Sequence, residues 1–371
     1  MSMQAETIDE LPVKWRRVGL FLAVGFLYAL LSRLPLPGID IVALTFAPSG
    51  LDQGTVSRVS VLALGIMPLF TAIGYVEIVS VIAAWRSGRA FDDGRGRHIR
   101  ALVASVIAFA LTGLQGYALA SALVSSGFIT TNPATFTITT LACFFGATAL
   151  LLVLSARMTL PGLGSGFWML WLFPHLLAMP GSFTGLADWS RQTGQFELPL
   201  IVVFSLLAIV AIVAVAKLWR ASIRQSIDLT TERRAETMSI LIWPPFLASL
   251  VVGHLLMLLA LLSPDTVSGM QRYLPWIAPA LIAIVTPLFV AAYQARWTGN
   301  ANAREIRRAA CWIAVVQVAL ILSSAILNAF VDLPMTGIVL LVATVATLSM
   351  LNFNTPRGSS GDLVREAQGG F

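Results

Sequence analysis

The chain has 371 residues, 57% of them hydrophobic and 11% charged, with a formal net charge of +6. Soluble domains carry about 25% charged residues, so a water-soluble globule is excluded. Ten apolar spans of about 20 residues each would fill slightly over half the chain, which leaves connectors and two modest tails but no polar stretch long enough for a catalytic or nucleotide-binding domain.

The first seventeen residues are polar and close on Lys14, Trp15, Arg16 and Arg17. No small-residue cleavage site lies behind the first apolar run, 18–34, so that run is expected to be a retained helix and not a removed leader. It ends in RLPLPGID at 33–40, where Pro35 and Pro37 deny helix continuation and Gly38 permits a turn. Residues 41–56, with Pro48, Gly50 and Gly54, have room for one short turn but not a long helix. SRVSVLALGIMPL at 57–69 then opens the second run, 61–84, in which Pro68 predicts a kink. Glu77 is the one acidic residue deep in a span, where a carboxylate must be protonated or paired; His254 is a candidate partner.

Further runs occupy 101–124 and 135–156. The fifth, 166–180, is short for a crossing and begins within GLGSGFWMLWLFPHLLAMP, residues 162–180. The remaining runs are 198–216, 240–262, 274–295, 310–330 and 333–353. None alternates with period 2, which argues against a β-barrel and leaves helices as the way to satisfy the backbone in lipid. With ten helices, both tails and every even-numbered connector share one side, and 20 of the 24 Lys and Arg residues fall there. Arg33, Arg58, Arg191 and Arg272 fall on the other. By the positive-inside rule both termini are cytoplasmic. The basic balance is thus mainly a topology signal, and contact with nucleic acid reduces to contact with a ribosome. Cys143 and Cys311 have no Cys or His neighbour at metal-ligand spacing, so no metal or other cofactor is indicated.

Residues 33–40 and 57–69 together resemble the SecY family of protein-conducting channels. The family's first span ends in a Pro-x-Pro-Gly-Ile-Asp turn, and its second opens with Ser-Arg-x-Ser, an apolar stretch and Gly-Ile-Met-Pro. Residues 162–180 are similar to the glycine-rich start of the family's fifth span, closing proline included. The resemblance implies an all-α polytopic membrane domain of ten transmembrane helices in two inverted five-helix halves, about 17–180 and 197–353, with a polar tail at 354–371. The halves would open on a lateral gate between the second and seventh spans; no internal repeat is visible in the residues themselves.

The same resemblance implies a pore ring of Ile66 and Phe70 on the second span, Trp171 and His175 on the fifth, Phe246 on the seventh and Val342 on the tenth. Pro68, Glu77, Pro244, Ser249 and His254 fall at the gate. A ring of apolar side chains holds back water and ions by dewetting, yet deforms around an extended polypeptide. The family usually has aliphatic residues here, so Trp171 and His175 are departures, and their bulk would compensate for a plug shortened to 41–56. Read without the resemblance, Phe70, Trp171 and Phe246 are bundle packing, Glu77 reaches the interface, and His254 is a satisfied bundle residue.

In bacterial members two long cytoplasmic loops dock the ribosome or the SecA motor. Here their counterparts are only 217–239, with Arg220, Arg224, Arg233 and Arg234, and 296–309, with Arg304, Arg307 and Arg308. A Gly-Ile-Arg-Pro-Gly segment that marks the second loop is absent. Shortening removes docking surface and leaves unspecific attraction, and the same arginines also serve as plain topology determinants. The expectation is a specialised or accessory channel of the bacterial inner membrane, not an enzyme, that passes or laterally inserts unfolded polypeptide. SecE-like and SecG-like small subunits, and a SecA-like motor or ribosome more weakly held, are the implied partners. Two alternatives stay open: a proton-coupled secondary transporter with Glu77, His175 and His254 as a relay, and a non-conducting assembly factor.

Overall fold

The structure, a computed structural model, describes residues 13–41, 59–87, 94–158, 160, 163, 166–193, 198–226, 238–263, 265, 269–295, 303–331 and 333–351. Ten helices follow one another among the described residues: α1 (Val13–Arg33), α2 (Met67–Ser87), α3 (Gly94–Ser125), α4 (Pro133–Arg157), α5 (Phe167–Thr193), α6 (Leu198–Ser226), α7 (Ser239–Leu262), α8 (Leu274–Ala295), α9 (Ala303–Asn328) and α10 (Gly337–Met350). Each coincides with one of the ten apolar runs, as a backbone with no water to bond requires. Seven of them, α2, α3, α4, α6, α7, α8 and α9, are long and apolar enough to cross a membrane. The apolar part of α1 is shorter, Val18–Arg33, and α10 has 14 residues. At about 1.5 Å per residue, α10 is about 21 Å long, against a hydrocarbon core of about 30 Å.

Several boundaries differ from the expected ones, and the differences share a cause: hydropathy marks where side chains turn polar, not where a helix stops. α3 and α9 begin at Gly94 and Ala303, well ahead of the apolar runs at 101 and 310, so part of each basic connector is helical. α5 continues to Thr193 through Pro174 and Pro180 and is not confined to 166–180. Its polar end is stabilised locally: Ser182 and Thr184 donate to the carbonyls of Ala178 and Gly181 at 3.3 and 2.9 Å. α2 starts at Met67, which puts Pro68 in its first turn, where the missing N–H has no helical partner to lose. Pro68 therefore starts the helix and does not kink it. α10 is shorter than 333–353 because Thr336 caps it, accepting from Val339 N–H at 3.5 Å.

The helices pair in a repeated pattern. α1 touches α5, α2 touches α3 and α4, α3 touches α4, and α4 touches α5. Each of these pairings recurs five helices later, as α6–α10, α7–α8, α7–α9, α8–α9 and α9–α10. The two sets meet where α2 lies against α7 and α8, and where α10 lies against α1 and α5. The main core gathers at that junction: every residue of α7 from Ser239 to Ala248 is buried, and α10 buries residues on all sides, from Gly337 to Ser349. Outer faces show large apolar side chains such as Phe26, Leu114, Leu207 and Leu261, an extent of apolar surface that calls for lipid around it.

α5 begins pressed onto the end of α4. Gly166 N–H donates to the Ser155 carbonyl at 2.9 Å, and a Cβ on Gly166 would lie 2.1 Å from the carbonyl oxygen of Met158. The glycine-rich segment before α5 thus permits a backbone approach that any side chain would block.

Candidate functional site

The two N-terminal motifs bond to each other. Leu36 N–H donates to the Val59 carbonyl at 3.0 Å, and Val61 N–H to the Leu34 carbonyl at 2.9 Å. On its other side the same segment meets the α3–α4 turn, through Asp40 N–H to Phe128 at 3.0 Å and Thr130 N–H to Gly38 at 2.9 Å. Gly38 has φ +86° and lies against Thr131, a conformation in which a side chain is strained. Leu36, Ile39, Val59, Leu123, Phe136 and Phe144 form a small core beneath this clamp. The expected plug segment falls, but for Ile41, outside the described residues.

Beyond the clamp, aromatic rings from three helices converge. Phe70 of α2 meets Phe246 of α7 edge-on at 5.5 Å between ring centroids, and Trp171 of α5 meets Phe246 at 4.8 Å. His175 lies on Trp171 at 4.5 Å. Ile66, Phe70, Phe246 and Val342 are buried in the main core, and Trp171 packs against it half-buried. Five of the six expected ring positions therefore share one core, and His175 adjoins it through Trp171. Sequence reasoning missed three members: Phe167 and Trp168 on α5, and Trp243 on α7. Trp168 touches Trp243 at 4.8 Å and Phe246 at 5.0 Å, while Phe167 stacks on Phe70 at 6.1 Å. Their signal was adjacency: Phe167 and Trp168 follow the glycine-rich turn, and Trp243 precedes Pro244.

The polar side chains at the expected gate pair differently from the expected arrangement. Glu77 accepts from the Tyr293 hydroxyl of α8 at 2.5 Å, and His254 Nε2 bonds the Tyr75 hydroxyl, with its Nδ1 at 2.6 Å from the Leu250 carbonyl. The expected Glu77–His254 partnership is thus replaced by two tyrosine pairs. The reason is helical geometry: residues 75 and 77 are two apart, about 200° around a helix, so one reaches α7 and the other α8. Both tyrosines were overlooked, although a Tyr that sits wholly or partly buried in an apolar helix needs a partner for its hydroxyl. Ser249 donates to Phe246 of its own helix at 2.8 Å, and Pro244 lies within the buried part of α7.

Among the expected partner contacts, Arg304, Arg307 and Arg308 stand exposed on the first turns of α9. Arg220 lies on α6 and donates through Nε to Met238 Sδ at 3.4 Å, which ties it partly to the protein. Arg224 is on α6 with its side chain outside the described residues, as are Arg233 and Arg234 altogether.

The SecY family model matches residues 60–306. Over 203 residues the chain is 27% identical to the protein translocase subunit SecY of Rickettsia conorii, covering 50% of this chain and 46% of that protein. Over 210 residues it is 25% identical to the SecY subunit of Helicobacter pylori, covering 51% and 47%. The chain thus spans about half the length of the curated relatives it matches. Two solved structures share the fold at 12% identity, covering 90% of this chain and 91% of theirs: a protein conducting channel, with a TM-score of 0.52, and Sec61 in the canine ribosome-channel complex from the endoplasmic reticulum, with a TM-score of 0.53.

Proposed function

Because the chain belongs to the SecY family, we propose that it is a protein-conducting channel subunit, closed by aromatic side chains and opened along α2. The observation that carries this reading is the contact of Phe70, Trp171 and Phe246 at the junction of the two helix sets. Rings from three helices can exclude water at that point and still part around an extended chain, because nothing but van der Waals and edge-to-face contact joins them. Opening is a population shift toward a state in which a hydrophobic signal segment binds between α2 and α7. The channel performs no chemistry of its own.

In this reading all ten helices cross the bacterial inner membrane as two inverted halves, with both termini cytoplasmic. The recurrence of five helix pairings supports the halves, and the charge distribution supports the orientation. Ile66 and Val342 complete the ring, and Pro68, Pro244 and Ser249 belong to the gate helices. The arginines at the α6 and α9 ends attract a ribosome or SecA-like motor with little docking surface, so the role is specialised or accessory. SecE-like and SecG-like subunits would cover the exposed helix faces.

Crosslinking a stalled secretory chain to probes placed at Ile66 and Phe246 tests the proposal. Contact at both positions is expected; contact at neither favours a non-conducting assembly factor. Glu77, His254 and His175 lie in three different contacts, with Tyr293, Tyr75 and Trp171, which gives a proton relay little support. Glu77→Gln is accordingly expected to abolish no coupled solute uptake in a proton-flux assay.

A further inference from the structure

α7 carries two consecutive prolines, Pro244 and Pro245, in its second turn. Proline has no N–H, so the carbonyls four residues earlier, those of Ile240 and Leu241, lose their helical donors. Both residues are buried, where an unpartnered carbonyl is costly. Gln317 of α9 makes good the loss: its Nε2 donates to the Ile240 carbonyl at 3.0 Å and to the Leu241 carbonyl at 2.8 Å. One amide nitrogen carries two hydrogens, and two carbonyls lack donors. Gln317 is only 2% exposed, and its Oε1 has no hydrogen-bond partner among the described residues. Those two donated bonds therefore set the amide's orientation, since the reverse would face oxygen with oxygen.

We propose that Gln317 is a positioning residue that replaces the two backbone donors removed by Pro244 and Pro245, and that makes this point of α7 a hinge anchored on α9. Bending a helix elsewhere breaks an i→i−4 bond. Here the bonds come from another helix, so the first turn stays on α9 while the part beyond Pro245 swings. That part carries Phe246 and His254, which touch Phe70 and Tyr75 of α2. The inference rests on the channel reading only for what the swing accomplishes; the replacement of donors stands apart from it.

A mutant cycle read by hydrogen exchange in lipid nanodiscs tests the replacement. Gln317→Met keeps the length and removes the donor. It is expected to speed amide exchange across residues 239–250 about tenfold, the combined net effect of losing both donated bonds. In a Pro244→Ala, Pro245→Ala background the alanine N–H groups serve both carbonyls, and the same substitution is expected to change exchange less than about twofold. Equal effects in the two backgrounds overturn the proposal. If Gln317→Met alone does not fold, recovery of folding in the triple variant supports it, and failure there overturns it.

The hinge is tested by conductance of the full chain in planar bilayers with a synthetic signal peptide. The double proline replacement is expected to cut peptide-induced conductance about tenfold, and unchanged conductance overturns the hinge. A parent chain with no peptide-induced conductance removes the channel reading itself, and the exchange cycle still decides the role of Gln317.

Discussion

The segment after α1 and the junction of α2 with α7 and α8 are joined by different kinds of contact. Among the described residues, the first is held by four backbone hydrogen bonds, to the strand-like stretch before α2 and to the α3–α4 turn. The second is held by ring contacts and two tyrosine pairs. Backbone bonds of this kind fix register, and breaking them in a buried setting leaves orphaned groups. Side-chain contacts can be exchanged for others, such as those of an entering segment. The same helix, α2, is therefore anchored ahead of its start by backbone bonds and joined to α7 and α8 by exchangeable side-chain contacts, the division that the proposed gate requires.

Substitutions can pull that comparison apart. The largest effect is expected from Phe246→Ala, which removes the ring shared by Phe70, Trp168 and Trp171. It should destabilise by about 3–5 kcal/mol and raise ion conductance in planar bilayers without any signal peptide. Gly38→Val attacks the anchored end, forcing a β-branched residue to φ +86° against Thr131. A loss of about 3 kcal/mol in thermal unfolding is expected, with conductance unchanged; a leak from this variant would show that the two regions are not independent. Tyr293→Phe removes a donor to Glu77 and should cost about 2 kcal/mol. Tyr75→Phe, which removes one hydroxyl facing His254, should cost about 1 kcal/mol. Both tyrosine variants should increase signal-segment crosslinking between α2 and its neighbours while leaving the clamp's hydrogen exchange untouched.

The helices were legible because a lipid environment demands long apolar runs, and the three motifs were legible because proline and glycine act locally. Helix ends were less so: the polar turns of α3, α5 and α9 are as helical as the apolar ones, and hydropathy does not register them. Phe70, Trp171 and Phe246 were singled out together, and they do meet. Their neighbours Phe167, Trp168 and Trp243 were missed because aromatic residues are ordinary in apolar helices until their direction is known. The partners of Glu77 and His254 were misassigned for the same reason. Which helix a side chain faces depends on rotation about the axis, and a uniformly apolar helix such as α7 gives no polar face from which to read it. The bond between Gln317 and the proline-freed carbonyls links positions 76 and 77 residues apart, a separation at which sequence alone offers no pairing rule.

The short, largely buried helix α10 has a consequence for how the protein is made. A stretch of 14 residues is poorly matched to the bilayer thickness and gains less from lipid than from the side chains of α1, α5, α6, α7 and α9 that pack on it. Its partition into the membrane by itself is therefore weak, and its seat exists only once both sets of helices are in place. In the proposed ten-span topology, α10 is therefore expected to seat only after both sets of helices have packed. Chains with a damaged central junction should release it to protease, an outcome that separates faulty biogenesis from faulty gating in the same variants.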